Sequence, residues 1–288
     1  MAAMIEERLV SRALGRLERT TVIYTDLDGT MVGPGGSFLH APDKTLTTEP
    51  VQALMAAHRA KVEVVPVSGR ALRGLQTDAR LLGMSTVIAE MGALISYEHG
   101  RDVVSNFGET PRPGLPAAIM EENGAVAKLL ARYAGKLEHH TPWSGWRECT
   151  QLFRGRVDTD EVDAWLATAG DGWLRLWDNG RLHGSYLDIE PGDARAYHLM
   201  PRGVSKGSAV AIDRERRGFA RTETIAVGDA EADLELAPHV GWFVMVRDAL
   251  DADPGLAERC MAIDNVLVTD RPHNLGWADL VAAVASRS

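Results

Sequence analysis

The chain has 288 residues, of which 45% are hydrophobic and 25% charged, and its formal net charge is −9. This composition is typical of a folded globular protein, and the length suits one large or two ordinary domains. The acidic balance argues against nucleic acid as a partner, because binding a phosphate backbone requires a basic face, whereas a small phosphorylated ligand needs only one local positive site.

The cysteine positions and the hydropathy of the sequence argue against a disulfide-bonded, zinc-binding, secreted or membrane-spanning protein. Cys149 and Cys260 lie far apart and outside any CxxC pattern, so we expect neither a disulfide framework nor a zinc site, and we predict a cytoplasmic location. No apolar run reaches transmembrane length, and residues 1–20 lack the apolar core of a signal peptide. Their apolar residues fall at helical spacing, which predicts a helix packed on the domain rather than on a partner or a membrane surface.

The first part of the chain alternates strands with helices. Strands are predicted at 21–28, 61–68 and 85–90. Between them lie a glycine-rich loop, a helix over 51–60 with Pro50 in its first turn, and a helix over 71–82. This alternation predicts a parallel sheet covered on both faces.

The pattern changes near residue 97 and returns after Lys206. The middle combines helical segments at 117–135 and 158–170 with strand-like runs at 172–177, 186–191 and 196–201, which indicates a separate α+β module. There follow a helix (206–217), a strand (223–229), a helix (230–239), a strand (241–246) and a last helix near 277–286. We therefore predict an α/β fold: a doubly wound, mostly parallel Rossmann-like core sheet over 1–106 and 202–288, with an inserted α+β cap domain over 107–201.

Polar residues follow several of the predicted core strands. Asp26 and Asp28 end the first strand, Ser68 ends the second, Asp229 ends the fourth, and Lys206 opens a helix that precedes a core strand. In a doubly wound sheet, ligands bind at the carboxyl ends of the strands. These five residues are therefore expected to meet at one edge, which is stronger evidence of a site than any one of them.

The residue types suit phosphoryl transfer with Mg²⁺. Adjacent carboxylates at a buried strand end repel each other unless a cation is present, and Mg²⁺ favours carboxylate and carbonyl oxygens. Asp26 can give a carboxylate ligand, Asp28 its backbone carbonyl, and Asp229 a second carboxylate. Asp26 can also attack phosphorus, and Asp28 can protonate the leaving oxygen. Ser68 and Lys206 can bind the phosphoryl oxygens.

The same segments resemble the four motifs of the haloacid dehalogenase superfamily, in the order DLDGT, VSGR, the lysine of VSKGS, and GDAEAD. The resemblance implies that Asp26 is the nucleophile and Asp28 the acid/base, and that Ser68, Gly69 and Lys206 bind phosphate. It also implies a metal site of Asp26, Asp28, Asp229 and Asp233, the last acting through water or by orienting its neighbours.

The spacing of the motifs resembles the C2-capped branch, which includes Cof-like, sucrose-phosphate, mannosyl-3-phosphoglycerate and trehalose-phosphate phosphatases and the eukaryotic-type phosphomannomutases. Only the interval between Ser68 and Lys206 is long enough for a full cap. Two departures are visible: Met91 stands where that branch has the asparagine of ENGA, and Ala232 where many members have the asparagine of GDxxND. The second change is expected to alter slightly the groups around the metal ligands.

Candidate substrate contacts are less specific. Tryptophans are concentrated in the middle of the chain, and the loop TPWSGWRE can stack indole rings on a sugar, although tryptophan is more often a core residue. Arg181 can bind a second anionic group, while the neighbouring histidines 139 and 140 are interpreted as solvated rather than as a metal pair. The candidate substrate residues are Arg70, Trp143, Trp146, Arg147 and His183.

The predicted function is a Mg²⁺-dependent phosphomonoesterase acting on a small phosphorylated metabolite, such as a sugar phosphate or a glycosyl-glycerate phosphate, through an aspartyl-phosphate. A phosphomannomutase-like enzyme on the same scaffold is an alternative, and a non-catalytic binding protein is another. We expect no nucleic-acid or membrane partner. Either a monomer or a homodimer is compatible with the sequence.

Overall fold

The computed structural model describes residues 2–182, 186–187, 189–190 and 192–287. Its strands are β1 Val22–Thr25, β2 Glu63–Pro66, β3 Val87–Ala89, β4 Leu94–Tyr97, β5 Asp102–Ser105, β6 Leu137–His139, β7 Gln151–Gly155, β8 Leu174–Arg181, β9 Arg195–Pro201, β10 Thr224–Gly228, β11 Trp242–Met245 and β12 Val266–Val268. Its α-helices are α1 Ala2–Glu7, α2 Val10–Ala13, α3 Glu49–Ala60, α4 Leu72–Leu81, α5 Pro116–Glu122, α6 Ala125–Arg132, α7 Thr159–Thr168, α8 Lys206–Arg217, α9 Arg247–Ala252, α10 Pro254–Met261 and α11 His273–Ala285.

The central sheet has five strands in the order β12-β11-β10-β1-β2, and every neighbouring pair is parallel. All four residues of β1 are buried, because both faces of the sheet are covered. Ile23 packs into the hydrophobic cluster on one face, and Val22 and Tyr24 into the cluster on the other. This period of two is the geometry of a strand, and the α/β prediction with a parallel core is confirmed.

The middle of the chain forms a second, antiparallel sheet in the order β6-β7-β9-β8. It packs with α5, α6 and α7 around a hydrophobic cluster of its own, which includes Met120, Leu129, Phe153, Leu166, Leu174 and Tyr197. The helix predicted over 117–135 is two helices, because Gly124 adopts a left-handed backbone (φ 74°) between α5 and α6.

The N-terminal segment packs on the core, as expected, but it is not one helix. Leu9 is extended between α1 and α2 and forms a parallel bridge with Val268 of β12. The Arg8 guanidinium donates to the carbonyls of Met261 and Val266, each at 3.2 Å. The helix is therefore interrupted at Leu9, where the extended backbone joins the edge of the sheet.

Other expectations need correction. The strand predicted over 186–191 is wrong for the residues described there, since Ile189 N donates to Tyr186 O (3.3 Å) in a turn. The helix predicted over 230–239 is a 3₁₀ helix, Glu231–His239, which contains Pro238. The antiparallel sheet β3-β4-β5 and the edge strand β12 were not predicted.

Both cysteines are buried and unpaired. Within the described part of the chain, no helix combines the length and apolarity needed to cross a bilayer.

Candidate active site

Two carboxylates leave adjacent strands at the same edge of the central sheet. β1 and β10 are parallel neighbours, with Thr25 paired to Val227, and the Asp26 backbone N–H donates to Val227 O at 2.9 Å. Asp229 follows β10 directly. Gly29, in the loop after β1, has a φ of 88°, and a Cβ at this position would collide with the Asp229 carboxylate. A glycine is therefore required where this loop passes the two acids.

Lys206 lies between two carboxylates. Its Nζ is 2.6 Å from Asp26 Oδ1 and 2.7 Å from Asp233 Oδ1, and the residue is only 3% exposed. Burial lowers the pKa of Lys206, but the charges of Asp233 and Asp26 outweigh burial and raise it above its usual value. The lysine is held charged, and Glu235 fixes the start of α8 by accepting from Lys206 N at 2.7 Å.

Asp26, Asp229 and Asp233 can offer carboxylate oxygens that lie within 4.8 Å of one another. Burial raises the pKa of Asp26 to about 7, against the lowering effect of Lys206. Burial and the charges of Asp26 and Asp233 raise the pKa of Asp229 well above its usual range. One lysine does not neutralise three carboxylates, of which Asp26 and Asp233 are buried and Asp229 is half-buried. The all-oxygen donor set fits a hard divalent cation such as Mg²⁺, while the histidine or thiolate ligands typical of zinc are not part of this group.

Hydrogen bonds from the neighbouring chain orient these carboxylates. Asp233 Oδ2 accepts from the backbone N–H groups of Asp229 and Ala230, each at 3.2 Å. Thr30 donates its hydroxyl to Asp229 Oδ1 at 2.9 Å. The structure thus brings together Asp26, Lys206, Asp229 and Asp233, which come from opposite ends of the chain.

Asp28 takes a different partner. Its half-exposed carboxylate accepts from Arg70 at both oxygens, from Nη2 at 2.6 Å and from Nε at 3.1 Å. The same guanidinium donates from Nη1 to Asp78 at 2.9 Å. Arg70, which the sequence suggests as a substrate contact, is therefore engaged by two carboxylates in this structure.

Ser68 and Gly69 lie in the loop after β2, and we call residues 68–70 the phosphate loop, after the role that the sequence analysis predicts for them. Thr25 of β1 pairs with Pro66 of β2, so Asp26 and Ser68 both lie just past the ends of these strands, at the same edge of the sheet. Ser68 is buried. Gly69 is closely surrounded, since a Cβ there would lie 2.8 Å from His198 Nε2.

Arg147, a predicted substrate residue of the middle region, reaches the phosphate loop. Its Nη1 donates to Gly69 O at 2.9 Å and to Thr150 Oγ1 at 2.8 Å. Trp143 and Trp146 are 67% and 79% exposed, and the Arg73 guanidinium lies 5.0 Å from the ring centroid of Trp146.

The other predicted contacts lie elsewhere. Arg181 is exposed at the end of β8, and His183 lies outside the described residues. The His139 ring stacks on Phe153 at a centroid distance of 5.1 Å, so its environment is that of the sheet rather than of bulk solvent. Trp165 and Trp173 pack against the hydrophobic cluster of the second sheet.

Four residues near the site were missed by the sequence analysis: Thr30, Glu90, His198 and Glu235. Glu90 gave a signal that could have been used, because it is an acid at the end of an apolar strand, as Asp26 and Asp229 are. His198 gave none, since one histidine in an apolar strand is usually a core residue.

Comparison with known proteins agrees with this geometry. The sequence model of the haloacid dehalogenase-like hydrolase family matches residues 23–108 and 181–258 of this chain. A phosphoglycolate phosphatase of Methanothermobacter thermautotrophicus is 27% identical over 260 residues, covering 90% of this chain and 96% of the relative. One from Archaeoglobus fulgidus is 25% identical over 229 residues, covering 79% of this chain and 83% of the relative.

Solved structures share the fold. A Thermoplasma acidophilum protein superposes with a TM-score of 0.63 at 17% identity, covering 92% of this chain and 98% of that one. The sucrose-phosphatase of Synechocystis, in complex with sucrose and phosphate, has a TM-score of 0.62 at 15% identity, with coverage of 92% and 98%.

Proposed function

Because the chain belongs to the haloacid dehalogenase-like hydrolase family and is a phosphatase, we propose that it is a Mg²⁺-dependent phosphomonoesterase of small phosphorylated metabolites. The observation that carries this proposal is the position of Lys206 Nζ, 2.6 Å from Asp26 and 2.7 Å from Asp233. This arrangement places a fixed positive charge beside a buried carboxylate, as attack on a phosphoryl group requires.

Asp26 and Asp229 would hold the metal with their carboxylates and Asp28 with its backbone carbonyl, while Asp233 would act through water or by orienting its neighbours. The cation would neutralise this acidic cluster and polarise the phosphoryl oxygens. The fit rests on three carboxylates that offer oxygens within 4.8 Å of one another, of which only Asp26 and Asp233 pair with Lys206.

In the proposed reaction, an Asp26 carboxylate oxygen attacks phosphorus and the bond to the leaving oxygen breaks. Asp28 donates a proton to that oxygen, so the alcohol departs and an aspartyl-phosphate remains. Asp28 then takes a proton from water, which attacks phosphorus and releases inorganic phosphate and free Asp26. Both Asp28 oxygens accept from Arg70 in this structure, so this ion pair would orient the Asp28 carboxylate for proton transfer.

We further propose that residues 107–201 act as a cap over a core made of residues 1–106 and 202–288. The hydrophobic cluster of the second sheet supports this division, because a domain needs its own core. Closure of such a cap would exclude water and set specificity.

A phosphorylated carboxylic acid such as phosphoglycolate is our first candidate substrate. The curated relatives bear the name of that activity. Arg147 also places a half-buried guanidinium against Gly69 of the phosphate loop, where it can bind a second anionic group. A sugar phosphate is the second candidate, because Trp143 and Trp146 are largely exposed near this loop and indole rings stack on sugars.

The test is release of inorganic phosphate from a panel containing phosphoglycolate and several sugar phosphates, with Mg²⁺ and with EDTA. We expect Mg²⁺-dependent turnover of at least one compound and none with the Asp26→Asn variant. Phosphate release by that variant would contradict the nucleophile assignment. Sugar phosphate isomerisation that depends on a bisphosphate, with little free phosphate, would establish a mutase instead.

A further inference from the structure

We propose that Glu90 is a positioning residue that holds Arg147 of the cap against the phosphate loop. The proposal rests on the proposed function and assigns a role to a carboxylate that the chemistry above does not use. Glu90 follows β3 and is fully buried. A buried carboxylate is costly unless donors satisfy it, so its partners indicate what it is for.

Among the described residues, the side-chain partners of Glu90 come from residues 148–150, directly before β7. Oε1 accepts from Glu148 N at 2.9 Å. Oε2 accepts from Cys149 N at 3.0 Å, from Thr150 N at 2.9 Å and from the Thr150 hydroxyl at 3.2 Å. Three successive backbone amides that converge on one carboxylate form an anion-binding nest. The Glu90 side chain therefore ties this segment to the core, and we call the arrangement the Glu90 clamp.

The clamp leads directly to Arg147. The Thr150 hydroxyl donates to Glu90 and accepts from Arg147 Nη1 at 2.8 Å, and that Nη1 also donates to Gly69 O at 2.9 Å. Burial lowers the pKa of Arg147 to about 10, and the negative charge of Glu90 opposes this effect. Glu90 thus fixes the arginine both by hydrogen bonds through Thr150 and by its charge.

The backbone of Glu90 and Met91 is hydrogen-bonded to the phosphate loop. Glu90 N donates to Arg70 O at 3.0 Å, and Met91 N donates to Ser68 O at 3.2 Å. Glu90, Met91 and Gly92 have φ values of 50°, 60° and 93°. Three successive left-handed residues, two of them not glycine, persist only where the surroundings impose them.

The third residue of this turn explains why it cannot relax. A Cβ on Gly92 would collide with the carbonyl of Ser205, the residue before Lys206. One turn therefore contacts the phosphate loop and the start of α8 while its carboxylate holds the cap. Glu90 sets the distance between the group that binds phosphate and the group proposed to bind the rest of the substrate.

The test compares Glu90→Gln with the wild type on phosphoglycolate and on p-nitrophenyl phosphate, which has no second anionic group. The amide keeps the size of the side chain but turns an NH₂ toward a backbone donor. We expect kcat/KM for phosphoglycolate to fall about 100-fold, mainly through KM, because a displacement near 1 Å has an effect of this size. Turnover of p-nitrophenyl phosphate should change less than about threefold, since Asp26, Asp28 and Lys206 are untouched. Glu258→Gln, an exposed glutamate on α10, is the matched control and should equal the wild type on both.

A second variant and a second measurement keep the proposal open to refutation. Thr150→Val removes the hydroxyl that links Glu90 to Arg147 and also contacts His198 Nδ1, but keeps the backbone amide, and it should likewise lower kcat/KM for phosphoglycolate. In Glu90→Gln, the backbone amides of residues 148–150 should exchange hydrogen faster, a result that does not depend on any activity. Equal losses on both substrates, an unaffected Thr150→Val, or unchanged exchange would overturn the proposal. If the wild type released no phosphate from any compound, the proposed function would fail, while the exchange result would still decide whether the clamp exists.

Discussion

Replacing Lys206 with methionine should destabilise the protein by several kcal/mol, which is unusual for loss of one lysine. Its Nζ is shared by Asp26 and Asp233, and the side chain is 4% exposed. Removing one partner of a buried ion pair typically costs about 3–5 kcal/mol, because a buried charge is left uncompensated. Here two carboxylates lose their partner, so we expect a loss near the upper end of that range. The exposed Lys136→Met is the control and should stay within about 0.5 kcal/mol.

The loss should depend on pH. Burial raises the pKa of Asp26 from 3.8 to about 7. The stability that protonated Asp26 contributes is therefore fully present below pH 3.8, and it is lost as the pH rises through about 7. Without Lys206 this pKa rises further. The difference between Lys206→Met and the wild type should therefore be larger at pH 8 than at pH 5.

The assay is equilibrium unfolding in denaturant with EDTA present at both pH values, which gives the free energy of unfolding and the slope for each protein. A difference below about 1 kcal/mol at pH 8, or one that does not grow between pH 5 and pH 8, would refute the reasoning. It would mean that Lys206 is solvated in solution and does not pair with the two carboxylates.

Three further predictions concern activity and metal binding. Chelation should stop phosphate release and Mg²⁺ should restore it, and Mg²⁺ should also raise the midpoint of thermal unfolding of the wild type but not of Asp229→Asn; full activity in EDTA would contradict the metal site. Arg70→Ala frees the Asp28 carboxylate from both of its donors, so kcat should fall by about 10- to 100-fold, while an unchanged kcat would show that this ion pair does not position the acid/base. Arg147→Met should raise KM for phosphoglycolate far more than for p-nitrophenyl phosphate, and equal effects on both substrates would remove Arg147 from substrate binding.

The central residues of the site were predictable because each lies beside a strand or helix that can be recognised from the neighbouring sequence. An acid directly after an apolar strand is visible in the sequence at Asp26 and at Asp229. The parallel register of β1 and β10 then brings the two together without further information. Lys206 was found by its place at the start of a helix and by its match to a motif, since an isolated lysine would ordinarily be interpreted as solvated.

The surroundings of the site were harder to predict because their partners are distant in sequence and carry no motif. Glu90 meets residues 148–150, and His198 lies against Gly69. Such contacts depend on how the second sheet sits on the core, and no local pattern encodes that placement. The wrong strand over 186–191 has a different origin, since alternating apolar residues also occur in a turn, such as the one in which Ile189 N donates to Tyr186 O.

The most direct test of the central claim is to find the phosphoryl group during turnover. The wild type, mixed with Mg²⁺ and a substrate from the panel, is quenched in acid within one turnover, digested at low pH and analysed by mass spectrometry. We predict a phosphorylated peptide that contains Asp26 and that is missing in Asp26→Asn. Turnover with no phosphorylated peptide under conditions where acyl phosphates survive, or with the group on another residue, would contradict the account.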